Sequence, residues 1–537
     1  MDAETAYLFR HAMLRDVAYN LHLPAERALL HELALSATPA TPSLAAERAQ
    51  HARMAALGHE GPRRRELLET HLECAMAARA YAWSQYDYAA VARLAEDELA
   101  NEAADAARRC DTYRDASHAL IAAADYRAAR QKAEAAVQES AHCTDPRQRG
   151  ICLGQLGSAA HAQGDLPAAE RHCREGLVLL RALKEDPAAS KLQVGLGNVY
   201  WSSGNMELAS QEFEAALQAF LRFKDVAHAA LAMSSLAAIA SDRGETGKAV
   251  ELGLKAVELA REARDRKREG NALNNLGNSY VALGQVETGI ECFEKSLALM
   301  REVMDRKGQA LVLGNLANRK LHRRQLDAAI QDYRQCLLLL REVGHLEAEG
   351  LLLANYAIAL GRAGRLGAER KALEDAIDRL DRAGAALVAV SARASYALHL
   401  LLFGDRTRAR ELLHEIEGVV KGQSEAYDIA YVQNVRYRMA RAEGIDASGI
   451  LREMEQRAQR AGFGPGSGPA IAIATSRHME SAGADEFIGG YHIDELTPAT
   501  RRALLQALPD LPVRSRELLA RGTEGVPVPD WRSEDYL

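Results

Sequence analysis

The 537-residue chain contains few of the residues that mark several common classes of protein. Only 5% of its residues are aromatic and only 14 are proline, which disfavours a β-rich fold and favours long helices. Its seven cysteines are scattered without a Cys-x-x-Cys pair, so we expect neither a disulfide framework nor a metal site. Apolar runs long enough for a membrane helix are missing, and the formal charge of −7 is mild. These features predict a helical protein of the cytoplasm that binds neither membranes nor nucleic acid.

Patterns typical of catalysis are also missing. The segment Gly244–Lys248 looks like a phosphate-binding loop, but Asp242 stands where such a loop needs glycine and Ala249 where it needs Ser or Thr. No Ser/His/Asp or Cys/His arrangement stands out along the chain. We therefore expect no enzyme activity and no cofactor.

A forty-residue period runs in one frame from Asp111 to about residue 470. Its fourteenth position is mostly glycine: Ala124, Gly164, Gly204, Gly244, Gly284, Arg324, Gly364, Gly404 and Gly444. Its nineteenth position is mostly alanine: Ala129, Ala169, Ala209, Ala249, Gly289, Ala329, Glu369, Ala409 and Gly449. The seventh position is also small, as at Gly197 and Gly277, whereas the twenty-third is often bulky, as at Phe213 and Phe293.

Each block therefore predicts a helical hairpin. Positions 1–13 form a first helix, the glycine at position 14 ends it, and positions 16–32 form a second helix. A polar loop such as 305–308 closes the unit. The small residues at positions 7 and 19 let the two helices approach, and the bulky residue near position 23 fills the space between them. The expected fold is all-α: an α-solenoid of nine to ten stacked antiparallel helix pairs with a small C-terminal extension.

This pattern resembles the tetratricopeptide repeat in its forty-residue form. The block NALNNLGNSYVALGQVETGIECFEKSLALMREVMDRKGQA (271–310) is similar to repeats of the Leu-Gly-Asn scaffolds that orient mitotic spindles. The resemblance implies a right-handed superhelix over residues 71–462, in which the first helices line a concave, peptide-binding groove.

The first 70 residues follow a different pattern. The segment YLFRHAMLRDVAYNLHLPAERALLHELAL (7–35) resembles the junction between the winged-helix region and the repeat array of bacterial multidomain signalling ATPases. The matching positions are Phe9, Arg10, His11, Leu14, Arg15, Asp16, Tyr19, Arg27 and His31. The nucleotide-binding core of those proteins is missing, because the chain has no Walker A sequence upstream of this segment.

The C-terminal end begins with a Gly/Pro-rich stretch, GFGPGSGPA, which predicts a linker over 463–475. A small helical region over 476–537 follows, with helices expected at 498–508 and 513–521. The last residues, GTEGVPVPDWRSEDYL, are acidic and extended, and are a candidate occupant of the array's own basic groove.

Asparagines recur on one arc of the first helices, at block positions 4, 5 and 8. An asparagine both donates and accepts hydrogen bonds, so a row of them can hold the backbone of an extended peptide; alternatively, these residues bridge repeats or remain solvated. Basic side chains beside the row favour an acidic peptide or a carboxyl terminus, although a solvated run of charges gives the same pattern. The candidate binding residues are Asn198, Asn274, Asn275, Asn278, Asn315, Asn318, Asn355, Arg319, His322, Arg323 and Arg362.

Two functions therefore remain open. The first is a monomeric, non-catalytic scaffold that binds a protein or peptide segment in its groove. The alternative is a sensor module detached from a bacterial signalling ATPase or kinase, which acts on that enzyme in trans.

Overall fold

The computed structural model describes residues 19–85, 87–183, 187–422, 424–464, 467–480, 486–488 and 491–536. These residues fold almost entirely into helices that pair with their neighbours in sequence, as the period predicts. Within this part of the chain, no helix combines the length and apolarity needed to cross a membrane.

The helices follow one another through most of the chain. Their bounds are α1 Pro24–Ala37, α2 Ala45–Ala56, α3 Gly61–Ser84, α4 Tyr88–Leu99, α5 Ala106–Ala122, α6 Tyr126–Glu139, α7 Pro146–Ala162, α8 Leu166–Arg181, α9 Pro187–Ser202, α10 Met206–Arg222, α11 Val226–Asp242, α12 Thr246–Glu262, α13 Arg266–Ala282, α14 Val286–Glu302, α15 Arg306–His322, α16 Leu326–Val343, α17 Leu346–Arg362, α18 Leu366–Ala383, α19 Ala386–Leu402, α20 Arg406–Val420, α21 Glu425–Tyr427, α22 Asn434–Ala442, α23 Ser448–Ala461, α24 Gly468–Glu480, α25 Pro498–Ala507 and α26 Val513–Ala520. A π-helical segment, Asp428–Gln433, joins α21 to α22.

The chain divides into two compact units. The first contains residues 1–123 and 128–155, and the second contains residues 124–127 and 156–537. In the first unit, a buried ion pair joins Arg79 to Glu98 at 3.0 Å, and alanines such as Ala52 and Ala55 are fully buried. The candidate sites described below, apart from the N-terminal segment and a group of thiols, lie in the second unit.

The helices from α10 to α15 are each 17 residues long and are separated by turns of three residues. The middle residue of each turn has a positive φ: glycine within a pair, as at Gly244 (76°), but Lys224 (59°), Arg264 (53°) or Met304 (55°) between pairs. The first helices therefore begin about five residues earlier than predicted. The reason is that Asp305 caps α15 by accepting a hydrogen bond from the Gly308 N–H at 2.9 Å, so the expected loop over 305–308 becomes helix.

The close approach predicted within each pair is present. A Cβ added at Gly277 would lie 2.7 Å from the Phe293 ring, and one at Gly197 would lie 2.9 Å from the Phe213 ring. Both phenylalanines are fully buried. At these positions the backbone of the first helix therefore packs directly against a phenylalanine ring of the second helix. Only glycine leaves room for that contact.

Helices far apart in sequence also share a core in the second unit. Leu166 and Ala169 belong to the same buried cluster as Val390 and Val435, and a Cβ at Gly164 would lie 3.1 Å from Leu387. The Gly464 N–H donates to the carbonyl of Asp242 at 2.8 Å. The repeats therefore contact more than their sequence neighbours, unlike those of a simple stacked array.

The C-terminal region packs against the array. Ile488, Ile493, Leu504 and Leu519 form one cluster with Leu366 of α18 and with Leu402 of α19. Helices α25 and α26 lie where the sequence predicts them, and a two-stranded antiparallel ladder pairs 487–488 with 491–492. Helix α24 begins at Gly468, inside the stretch predicted as a linker, because the apolar run after Pro469 buries Ala472 and Ile473. Residues 465 and 466 of that stretch lie outside the described residues.

Candidate functional site

The first helices α13, α15 and α17 carry matching stripes at the spacing i, i+4, i+7 and i+11, which places each stripe on one side of its helix. We call these stripes the first-helix face. It consists of Asn271, Asn275, Asn278 and Ala282 on α13; Leu311, Asn315, Asn318 and His322 on α15; and Leu351, Asn355, Ile358 and Arg362 on α17.

Some of the predicted asparagines form side-chain hydrogen bonds with other residues of the array. The Asn315 amide donates to the Asn274 Oδ1 at 2.8 Å, across two successive first helices. The Asn318 Oδ1 accepts a hydrogen bond from the Tyr333 hydroxyl at 2.6 Å. These contacts match the alternative interpretation, in which the asparagines connect helices of the array and do not bind a ligand.

Other asparagines have amides without a hydrogen bond to any described residue. Asn275 and Asn278 are exposed and Asn355 is half-buried, all on the first-helix face. Asn198 lies on α9, two repeats earlier in the chain. The structure therefore divides the predicted row into asparagines whose side chains hydrogen-bond within the array and asparagines whose side chains have no such bond to a described residue.

The basic run at the end of α15 also divides into two groups. The Lys320 Nζ lies 2.6 Å from Asp332, and Arg323 forms an ion pair with Glu287. Arg324 is exposed and occupies the turn with a φ of 61°, where most repeats have glycine. Because carboxylates already neutralise Lys320 and Arg323, these two residues contribute little net charge to the surface.

Arg319, His322 and Arg362 have no ion-pair partner among the described residues, and we call them the basic cluster. Arg319 is half-buried, and its Nε has no hydrogen-bond partner. Burial lowers the pKa of His322, and the positive charges of Arg319 and Arg362 lower it further. The two arginines of this cluster are therefore positive charges that form no ion pair with an acidic side chain in the described part of the chain.

Apolar side chains adjoin the basic cluster on the same face. Leu351 is 36% exposed and Ile358 is 41% exposed, one turn on either side of Asn355. The face therefore offers amides, positive charge and apolar surface together, a combination that suits an extended peptide.

The C-terminal tail lies elsewhere on the same repeats. Its residues contact the second helices α16 and α18 together with Tyr356, whose hydroxyl group projects from α17. Arg334 donates to the carbonyl of Tyr536 at 3.0 Å, and the Gly367 N–H donates to the carbonyl of Trp531 at 2.7 Å. The described residues of the tail make no hydrogen bond with the asparagines of the first-helix face, where the sequence led us to expect this segment.

Three cysteines of the first unit come together. The Sγ atoms of Cys110 and Cys143 are 3.7 Å apart, and Cys152 belongs to the same buried cluster. Burial raises the pKa of the Cys152 thiol to about 11, and in the second unit it raises that of Cys173 to about 12. The thiols of Cys152 and Cys173 are therefore neutral packing groups at physiological pH.

Part of the N-terminal resemblance lies within the described residues. The Tyr19 hydroxyl is 2.9 Å from His31 Nε2, and the Arg27 guanidinium lies over the Tyr19 ring at 5.2 Å. The matching positions Phe9, Arg10, His11, Leu14, Arg15 and Asp16 fall outside the described residues.

The chain was compared with known proteins. Among solved structures, a Rap protein complexed with competence and sporulation factor is 12% identical, with a TM-score of 0.43, over 65% of this chain and 97% of its own. A signal transduction ATPase with numerous domains and a tetratricopeptide repeat sensor, from Pyrococcus horikoshii, is 14% identical, with a TM-score of 0.40, over 70% of this chain and 57% of its own. No curated protein matches the chain significantly. The model of the tetratricopeptide repeat family matches residues 188–262 and 268–342, so these two segments consist of tetratricopeptide repeats.

Proposed function

We propose that this protein is a non-catalytic scaffold that binds an extended, acidic peptide segment on the first-helix face of α13, α15 and α17. The observation that carries the proposal is the basic cluster, in which the positive charges of Arg319 and Arg362 act on His322 and none of the three has an ion-pair partner among the described residues. An anionic side chain or a terminal carboxylate would supply the missing partner.

Arg319 carries an energetic cost that a ligand would relieve. Its guanidinium is half-buried and one of its donors is unsatisfied, so its burial costs free energy in the unliganded protein. A carboxylate that accepts from the terminal nitrogens of this guanidinium makes a charge-assisted hydrogen bond, worth about 1.5–3 kcal/mol. The free-energy cost of burying the guanidinium is thus already present in the free protein, so the new hydrogen bond contributes to the affinity for the ligand.

The asparagines would supply recognition that does not depend on ligand sequence. Asn275, Asn278 and Asn355 can each donate to a backbone carbonyl and accept from a backbone N–H. Leu351 and Ile358 provide apolar contacts beside them. The ligand we expect is an extended segment with an acidic group at the basic cluster and an apolar side chain near α17.

Selection of peptides from a random display library on the immobilised protein tests the proposal. We expect enrichment of acidic peptides on the wild-type chain and loss of that enrichment on an Arg319→Ala, Arg362→Ala double variant. Arg323→Ala is the matched control, because Arg323 lies in the same basic run but already pairs with Glu287. Recovery of the same peptides by the wild type and the double variant would refute the site.

Substitution of the available asparagines tests the remainder of the face. Asn275→Ala, Asn278→Ala and Asn355→Ala together should weaken a selected peptide while leaving the thermal midpoint unchanged. Asn274→Ala is the contrasting variant, since it removes the bond to Asn315 and should lower the midpoint instead. Unchanged affinity in the triple variant would exclude these amides from the site.

The sensor alternative receives support from a different surface. Exposed leucines lie on and beside α1, including Leu23 at 67% and Leu33 at 68% exposure, next to the residues that resemble the ATPase junction. Apolar patches of this kind are typical of interaction surfaces. Retention of a separately expressed ATPase or kinase by the wild type, and its loss with Leu23→Ser and Leu33→Ser, would favour this function. Equal retention by both proteins would oppose it.

A further inference from the structure

The tail lies against the second helices of repeats 311–390, away from the residues of the first-helix face. We call the array side of this contact the second-helix groove. It consists of Arg334 on α16, Tyr356 on α17, and Gly367, Arg370 and Asp375 on α18. The tail residues that occupy it are 529–536.

The groove holds the tail backbone at several points. The carbonyl of Tyr536 accepts hydrogen bonds from the Arg334 Nε at 3.0 Å and from the Tyr356 hydroxyl at 2.5 Å. The Gly367 N–H donates to the carbonyl of Trp531 at 2.7 Å. Donors to backbone carbonyls hold an extended segment whatever its side chains.

The groove also selects among side chains. The Tyr536 hydroxyl donates to Asp375 at 2.5 Å, and Tyr536 is only 6% exposed. Its ring lies 6.1 Å from that of Tyr356, in an edge-on arrangement. Arg370 forms an ion pair with Glu534, two residues before the tyrosine. The selected pattern is an acidic residue followed two positions later by a tyrosine.

Glycine makes the close approach possible. A Cβ added at Gly367 would lie 2.6 Å from the carbonyl oxygen of Arg532, so any other residue would displace the tail. Gly247 occupies the same block position in another repeat, where a Cβ would meet nothing within 4 Å. Gly367 therefore acts as a cradle for the tail, in addition to its place near the start of α18.

We infer that the second-helix groove is a peptide-binding site for extended segments with an acidic residue two positions before a tyrosine, and that the chain's own tail is its resident, displaceable ligand. Few backbone hydrogen bonds and one ion pair hold this extended segment, and segments held by few contacts open locally at low cost. A partner segment of the same chemistry competes with the tail for this groove. The inference concerns the second helices and does not depend on the first-helix face.

A labelled peptide of residues 527–537 is the probe, measured by fluorescence anisotropy against the full chain and against a variant that ends at residue 525. A tethered ligand competes at an effective concentration of roughly millimolar. We therefore expect at least tenfold tighter binding to the shortened chain than to the full chain. Gly367→Ala in the shortened chain should weaken binding at least tenfold, whereas Gly247→Ala should leave it unchanged. A peptide lacking the hydroxyl, Tyr536→Phe, should bind more weakly.

Equal binding of the probe to the full and shortened chains would overturn the inference, as would no binding to a shortened chain that retains its helical circular dichroism. Should the shortened chain fail to fold, hydrogen exchange of residues 527–536 in the full chain decides. Faster exchange in Gly367→Ala than in Gly247→Ala supports the groove, and equal exchange refutes it. Arg319→Ala is expected to change none of these results, which distinguishes this site from the first-helix face.

Discussion

Repeats 311–390 present two faces with opposite electrostatic states. On the first-helix face, the basic cluster of Arg319, His322 and Arg362 has no carboxylate partner among the described residues. On the second helices, Arg334 donates to a tail carbonyl and Arg370 pairs with Glu534 of the tail. The difference shows that arginines on a repeat surface can have very different roles, according to whether a chain segment lies against them.

The occupied groove also shows how this array holds an extended segment. An arginine and a tyrosine donate to one backbone carbonyl, a second arginine pairs with an acidic side chain, and glycine gives the backbone room. The first-helix face carries comparable donors in its asparagines and its basic cluster. The two faces should therefore respond differently to substitution of their residues.

The largest expected effect comes from the packing beneath the first-helix face. Phe293→Ala empties the space beneath Gly277 and should lower the free energy of unfolding by about 3–5 kcal/mol. Thermal unfolding followed by circular dichroism measures the change. Because α13 and α14 both lose packing, we expect weaker binding of acidic peptides as well. An unchanged thermal midpoint would show that this ring does not support the repeat.

The second prediction concerns the sign of stability changes on the two faces. Arg334→Met removes the donor to the tail and should lower stability by about 1–2 kcal/mol. Arg319→Met removes a half-buried charge that faces other positive charges and should raise stability by about 0.5–1 kcal/mol. Thermal midpoints of the two variants measured side by side test the contrast. If both substitutions lower the thermal midpoint, the two faces do not differ in the way their arginines affect stability.

The third prediction is a pH dependence confined to the first-helix face. Burial and the two neighbouring arginines lower the pKa of His322, so the ring is largely neutral in the free protein near pH 7.5. A bound carboxylate favours the protonated ring, so binding takes up a proton and tightens as the pH falls toward 5.5. A rise of one pKa unit in the complex would give up to about a tenfold gain in affinity. His322→Gln should flatten the profile, as measured by anisotropy with a selected acidic peptide.

The smallest expected effect separates Arg324 from the basic cluster. Arg324 has a φ of 61°, a conformation that is costly for a residue with a Cβ. Arg324→Gly should raise stability by up to about 0.5 kcal/mol without weakening acidic peptides, since the side chain lies at the turn. Peptide affinity that falls as far as in Arg319→Ala would place Arg324 in the site.

The sequence predicted the features that depend on local chemistry. The Gly277–Phe293 contact, the glycine that ends most of the first helices and the helices after Thr497 follow from residue size, backbone freedom and capping. It did not predict the short turns at Lys224, Arg264 and Met304, because nothing in those residue types marks a positive φ. The aspartate that follows each of these positions and caps the next helix, as Asp225 does, is the sequence feature that could have predicted the turns.

The candidate site was predicted only as a set of residue types. The period placed the asparagines on one arc, but the pairing of Asn315 with Asn274 depends on the angle between successive repeats. Lys320 forms an ion pair and Arg319 does not, and this difference likewise depends on whether a neighbouring helix places a carboxylate beside the basic group. The second-helix groove had no signal in sequence, since Tyr536 and Arg334 are 202 residues apart along the chain.

The shared core between Leu166 and Val390 has a mechanical consequence. An open solenoid stretches under load as a spring does, because each repeat can rotate slightly against the next. Here, stretching the repeats would first have to break the apolar interface between helices that are far apart in sequence. Force–extension curves should therefore show a distinct rupture force before the repeats begin to extend easily. Until that point, pulling on a bound partner would move the repeats of the second unit together as a stiff body.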